Sequence, residues 1–79
     1  MYIDIMIPNF YNVFLVEANT IQALNGNKPV HAKLNTTTLG ISKERFNDTS
    51  VRIYDDKFLG FPIVIDETIP NGRILVELV

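Results

Sequence analysis

The chain has 79 residues, a formal net charge of −2 and no cysteine, so we expect one small domain over residues 1–79. Without cysteine, neither a disulfide nor a thiolate-ligated zinc site can stabilise the fold. Seven basic residues against nine acidic ones are a poor match to a phosphate backbone, so we do not expect nucleic acid to be a partner.

The compartment is also suggested by the sequence. No stretch approaches the roughly 20 apolar residues that span a bilayer, and the N-terminus lacks the basic start of a signal peptide. We therefore expect a soluble, cytoplasmic protein that does not contact a membrane.

The first third of the chain contains one clear strand signal and one ambiguous segment. Residues 2–7 alternate apolar and polar side chains, which predicts a strand, and Pro8 and Asn9 end it. In residues 10–24 the apolar spacing fits a helical stripe, whereas the β-branched and aromatic residues 13–17 fit a strand. We predict a second strand over residues 13–17, followed by a short helical turn that ends near Asn25 and Gly26.

The middle of the chain predicts little regular structure. Residues 30–34 alternate weakly and indicate a short strand, and the polar residues 35–38 are typical of a surface loop. Residues 41–46 fit one helical turn with Ser42 as its N-cap.

Residues 51–79 have the strongest β pattern, and we predict an antiparallel meander there. A turn at Pro70 and Asn71 would place Ile65 opposite Val76 in a closing hairpin. An earlier tight turn would follow residues 51–54, and we expect a kink at residues 60–62, where proline interrupts the ladder.

Side chains in a strand alternate between two faces, and the meander therefore has one fully apolar face. That face contains Val51, Ile53, Leu59, Phe61, Ile63, Ile65, Ile74, Val76 and Leu78. The opposite face is only half polar, and it is either covered by the rest of the chain or used for a subunit or partner contact. The candidate interaction surface on it is Tyr54, Phe58, Val64, Leu75 and Val79.

No pattern of residues indicates chemistry. His31 is the only histidine, and no nucleophile or orienting acid stands near it in the sequence. The acidic pairs at residues 55–56 and 66–67 fall at opposite ends of the predicted central strand, where they fit turns. We therefore predict no catalytic residue, no metal site and no cofactor, and we expect a protein that is not an enzyme.

The segment FLGFPIVI, residues 58–65, followed by the Ile69–Pro70 turn and a last apolar strand, resembles the ends of many bacteriophage proteins. Major capsid proteins and small phage proteins of unknown role share this kind of strand and proline turn. The resemblance is limited to residues 58–79; it implies a phage or prophage origin and assigns no functional residue.

Together these patterns predict a mainly β fold, a small antiparallel sheet or partly closed barrel of about five or six short strands with one or two short helical turns. The function we expect is a small protein–protein interaction module that self-associates or binds a host or virion protein. The alternative is a small β-barrel that binds single-stranded nucleic acid, with exposed aromatic residues stacking on the bases.

Overall fold

The computed structural model describes residues 1–46, 53–54 and 56–79, and these contain two helices and five strands. The expected number of strands is confirmed, but the fold is mixed α/β rather than mainly β, because the helices are 15 and 10 residues long. In chain order the elements are β1 (Tyr2–Asp4), α1 (Phe10–Leu24), β2 (Val30–Leu34), α2 (Thr36–Arg45), β3 (Lys57–Phe58), β4 (Phe61–Ile65) and β5 (Arg73–Leu78).

The five strands form one open, mixed sheet in the order β1-β5-β2-β4-β3, not the antiparallel sheet or partly closed barrel that the sequence predicts. Strand β5 is antiparallel to both β1 and β2, while β2 and β4 are parallel. Strands β1, β2 and β4 therefore point the same way, and both helical crossovers step across the sheet in the same direction. Right-handed crossovers place α1 and α2 on the same side of the sheet, and the Phe10 ring of α1 accordingly stacks on Phe46, just after α2.

The predicted strand over residues 13–17 is wrong, because these residues belong to α1. Phe10, Phe14 and Ala18 are spaced by four residues and are all buried against the sheet, which is the pattern of an amphipathic helix. A strand would also have put these three on one face, but together with Val16, which lies between them in the sequence and is exposed. Packing of this stripe overrides the local β preference of Val13 and Val16, which are exposed on the outer side of α1.

Aromatic side chains join the two helices to the far edge of the sheet. The Phe14 ring centroid lies 5.1 Å from that of Phe58 and 5.7 Å from that of Phe61. The Phe10 ring stacks on Phe46, just after α2, at 5.4 Å and meets Phe58 edge-on at 5.9 Å. Each such pair contributes about 0.5–1.5 kcal/mol beyond its buried area.

The predicted closing hairpin is also wrong, because β2 lies between β4 and β5. Ala32 of β2 is paired with Ile63 of β4 on one side and with Val76 of β5 on the other. Side-chain alternation determines which face of the sheet a residue occupies, but it does not determine which strand is the neighbour. Ile63 and Val76 accordingly still face the helices, although they are not partners.

Several smaller predictions need correction as well. Strand β1 ends at Asp4 rather than at residue 7, while the strand predicted at residues 30–34 is confirmed. The tight turn before β4 is at Leu59 and Gly60, both with positive φ, and not a kink within the strand. Residues 47–52 and 55, including part of the strand predicted at 51–54, lie outside the described residues.

Helix α2 begins where a surface loop was predicted. Asn35 is its N-cap and accepts a hydrogen bond at Oδ1 from the Thr38 backbone N–H, 2.7 Å away. Ser42, the predicted N-cap, lies inside the helix and is buried. Three threonines at the start of α2 give low intrinsic helix propensity, so the cap and the contacts described next are needed to fix this end.

The segment that connects β4 to β5 crosses the start of α2 and is fastened to it. The Asn35 Nδ2 group donates to the Ile69 carbonyl oxygen (2.8 Å) and to Asn71 Oδ1 (2.6 Å). The Gly72 backbone N–H donates to Thr38 Oγ1 at 2.9 Å. This attachment carries the chain past the end of β2, and it explains why β4 and β5 do not form the predicted hairpin.

We predict that replacing Asn35 weakens the fold by roughly 2–4 kcal/mol, because a helix cap and two further hydrogen bonds are lost at a buried site. Asn35→Asp keeps the capping oxygen but turns a donor into an acceptor that faces two other acceptors. It should therefore cost at least as much as Asn35→Ala in the free energy of unfolding measured with urea. Asn12→Asp, at an exposed position in the first turn of α1, is the control and should change stability little; equal stability of Asn35→Asp and wild type would contradict the role of the amide.

Candidate functional site

The side of the sheet that faces away from both helices, which we call the open face, is the main candidate for function. Strand register places a contiguous row of side chains on it, with Tyr2 opposite Leu75, Leu75 opposite Lys33, and Lys33 opposite Val64. The intervening residues Ile3, Ala32 and Ile74 point to the helices and are buried, as are Val30, Leu34 and Val76. By the same register the open face consists of Tyr2, Asp4, His31, Lys33, Lys57, Pro62, Val64, Arg73, Leu75 and Glu77.

The row across the open face is apolar at three of its four positions. Tyr2 is 51% exposed and Val64 is 37% exposed, while Leu75 is half-buried. The aliphatic stem of Lys33 stands between Leu75 and Val64, where long cationic side chains commonly cover apolar surface. A sheet face that is wetted on one side normally carries polar residues there, so this row is available for a contact.

Next to the row, one carboxylate joins two basic side chains. Glu77 Oε1 lies 3.0 Å from His31 Nε2 and 2.9 Å from Lys33 Nζ. The trio arises from register, because His31 is directly opposite Glu77 on the paired strands β2 and β5. Hydrogen bonds from His31 and then from Lys33 lower the pKa of the Glu77 carboxyl, and the bond to Glu77 raises the pKa of the Lys33 ammonium.

Sequence analysis could not place an acid beside His31, since Glu77 is 46 positions away. The pair could have been found only from the β2–β5 pairing, which the predicted hairpin excluded. In the structure the trio can hold the charged groups of the open face in fixed positions. Among the described residues no three side chains of the histidine, aspartate and glutamate types converge in a way that could hold a metal ion.

The candidate interaction surface is only partly brought together. Val64 and Leu75 are on the open face, the exposed Val79 follows directly after β5, and the exposed Tyr54 lies ahead of β3. Phe58 does not belong to this surface, because its side chain is fully buried between the helices and the sheet. The predicted register placed Phe58 on the same face as Val64, whereas its strand β3 turns that side chain toward the helices.

Tyr2 and Lys33 are the two residues of the row across the open face that sequence analysis missed. The alternation of residues 2–7 already placed Tyr2 opposite the isoleucine face, so its exposure could have been inferred. Lys33 could not, because its position between Leu75 and Val64 depends on β2 lying between β4 and β5.

The acidic residues near the end of β4 stabilise local structure. Asp66 Oδ1 accepts the Thr68 backbone N–H and hydroxyl. Glu67 Oε1 accepts the Thr36 backbone N–H at 2.9 Å and the Thr36 hydroxyl at 2.7 Å, at the positive end of α2. These bonds lower the pKa of both carboxyls. Asp55, from the other predicted acidic pair, lies outside the described residues.

Comparison with known proteins adds no evidence on function, so the open face is the principal evidence. Neither a protein-family model, nor a curated protein, nor a solved structure matches this chain. Within the part of the chain that the structure describes, neither helix has the length and apolar character needed to cross a membrane.

We predict that the Glu77 carboxylate stabilises the fold near neutral pH and not in acid. Its pKa is lower in the folded state, so the stabilisation is complete above the ordinary carboxyl pKa of about 4.3 and is lost as the pH falls through the folded value. Glu77→Gln should lower the urea midpoint relative to wild type at pH 7, and the difference should shrink at about pH 3. Glu44→Gln, which removes an exposed carboxylate on α2, is the control; a pH-independent effect of Glu77→Gln would contradict the ionic origin.

Proposed function

We propose that this chain is a small, non-enzymatic interaction module that associates with a second copy of itself through the open face. The observation that supports this most directly is the one-sided architecture: both helices cover the same face of the sheet. The other face carries the apolar row of Tyr2, Leu75 and Val64 around Lys33. Sheets pair face to face at about 10 Å by interlocking such side chains.

The charges of the open face favour a second copy as its partner. Asp4 and Glu77 supply negative charge, and Lys33 and Arg73 supply positive charge, within one small surface. In a two-fold symmetric contact, a residue away from the axis meets a different residue of the partner. A face with both signs can therefore pair acid with base across the axis, whereas a face with a single sign would repel its own copy.

The size of the protein is compatible with such a contact. A standard interface buries about 800 Å² per partner, which is about one sixth of the 4812 Å² that the chain exposes. One side of a body measuring 34 × 28 × 21 Å offers that share of its surface. Association would also cover a sheet that now has a core on one side only.

A phage or prophage origin and a cytoplasmic location remain part of the proposal. The origin is supported by the strand and proline turn of residues 58–79. If the origin is correct, a host or virion protein is the other class of partner for the open face.

Solution mass tests the proposal, measured by light scattering after size-exclusion chromatography over a range of concentrations. Val64→Glu introduces a charge into the apolar row. Val13→Glu is the control, because it introduces the same charge on the outer side of α1 at a valine that is equally exposed, 37% in both cases. We expect wild type and Val13→Glu to form dimers as concentration rises. We expect Val64→Glu to remain monomeric while keeping the wild-type circular dichroism spectrum.

Other outcomes would contradict self-association through this face. A wild-type chain that stays monomeric at every concentration would exclude it, and loss of the dimer in Val13→Glu alone would place the contact on the helices. For a monomer, a titration with fluorescent single-stranded oligonucleotide at low and high salt separates the two remaining classes. Salt-sensitive binding would favour the nucleic-acid alternative, and no binding would favour a foreign protein partner.

A further inference from the structure

The sequence contains the dipeptide Asn-Gly twice, at Asn25–Gly26 and at Asn71–Gly72. In such a pair the glycine nitrogen, after losing its proton, can attack the asparagine Cγ. A C–N bond forms, the bond to the amide nitrogen breaks, and ammonia leaves a cyclic succinimide. Water then opens the ring to aspartate or isoaspartate, and no other reactant is needed. Glycine permits this because it has no Cβ to hinder the approach.

At Asn71–Gly72 the folded structure restrains both reacting groups. The Gly72 N–H, which must lose its proton, donates to the hydroxyl of the buried Thr38 at 2.9 Å. The Asn71 carboxamide is held through its Oδ1 by the Nδ2 of Asn35 at 2.6 Å. The turn around the pair is closed by the Arg73 N–H on the Pro70 carbonyl at 3.2 Å. Cyclisation here requires several of these bonds to break.

At Asn25–Gly26 the corresponding restraints are weaker. Both residues are exposed after the end of α1, in a turn that is closed by the Asn27 N–H on the Gln22 carbonyl at 2.7 Å. The Gly26 N–H makes no hydrogen bond to another described residue. The Asn25 side chain is held by a single bond, from Nδ2 to the Ile21 carbonyl at the solvent-exposed helix end, 2.8 Å.

We propose that Asn25 is a site of spontaneous deamidation and that the contact with α2 protects Asn71 from the same reaction. The product places a carboxylate at the C-terminal end of α1, where the helix dipole disfavours negative charge. It also removes the donor to the Ile21 carbonyl. Deamidation at Asn25 therefore weakens the end of α1, whereas the attachment of residues 66–72 to α2 remains intact.

The test follows both sites in the wild-type chain, incubated in mildly alkaline buffer either folded or unfolded in urea. Peptide mass mapping assigns each product, and ion-exchange chromatography counts the added negative charge. In urea the two sites should react at similar rates. In the folded protein Asn71 should react at least roughly tenfold more slowly than Asn25, since each ordinary hydrogen bond that must break is worth up to about a factor of ten in rate.

Two variants make the assignment specific. Asn25→Gln should abolish the charge change that appears first in the folded protein. Thr38→Val keeps the shape of the buried side chain but removes the acceptor for Gly72, so Asn71 should react faster in the folded variant than in folded wild type. Equal rates at the two sites in the folded wild type, or faster reaction at Asn71, would overturn the proposal without any variant, and unchanged protection in folded Thr38→Val would overturn the role of Thr38.

Discussion

The pairing of β2 on both of its edges is the constraint on which the rest of the structure depends. Ala32 meets Ile63 on one side and Val76 on the other, so a single short strand satisfies backbone groups of two neighbours. Its parallel partner β4 requires a crossover, which α2 supplies. Its antiparallel partner β5 is reached only after the connecting segment has crossed the start of α2, where Asn35 holds it. The same strand then presents His31 and Lys33 to the open face, and both the helical layer and the candidate site follow from its position.

Local patterns in the sequence predicted which face the side chains of β4 and β5 occupy, and they failed where the decision is non-local. Ile63, Ile74 and Val76 were correctly assigned to one apolar face because alternation is a property of each strand by itself. The order of the strands cannot be inferred from alternation. Inserting β2 between β4 and β5 changes the neighbours of both strands but leaves the alternation of their side chains unchanged. No rule about turns could reveal this, since the segment around Pro70 is a good turn in either topology.

The two helices were predicted only as short helical turns, for separate physical reasons. In α1 the spacing of Phe10, Phe14 and Ala18 was present in the sequence, but the β-branched residues 13–17 competed with it, and only the sheet beneath decides between them. In α2 the initial threonines are poor helix formers, and the helix depends on a cap at Asn35 that is itself held by residues more than thirty positions later. For the candidate site, Val64 and Leu75 were predictable from alternation, whereas the trio of His31, Lys33 and Glu77 needed the correct register.

The same trio sets the strength that self-association through the open face can reach. A partner that covers Lys33 and Glu77 must remove water from a close ion pair, and this desolvation can exceed the attraction gained inside the contact. Only Tyr2, Leu75 and Val64 offset that cost with apolar area, and binding must also overcome the lost freedom of two separate chains. A weak dimer that depends on protein concentration is therefore the form expected of this face, rather than an obligate one. The ion pair would then serve mainly to fix how the two copies align, because a misplaced partner would leave Glu77 or Lys33 buried without a counter-charge.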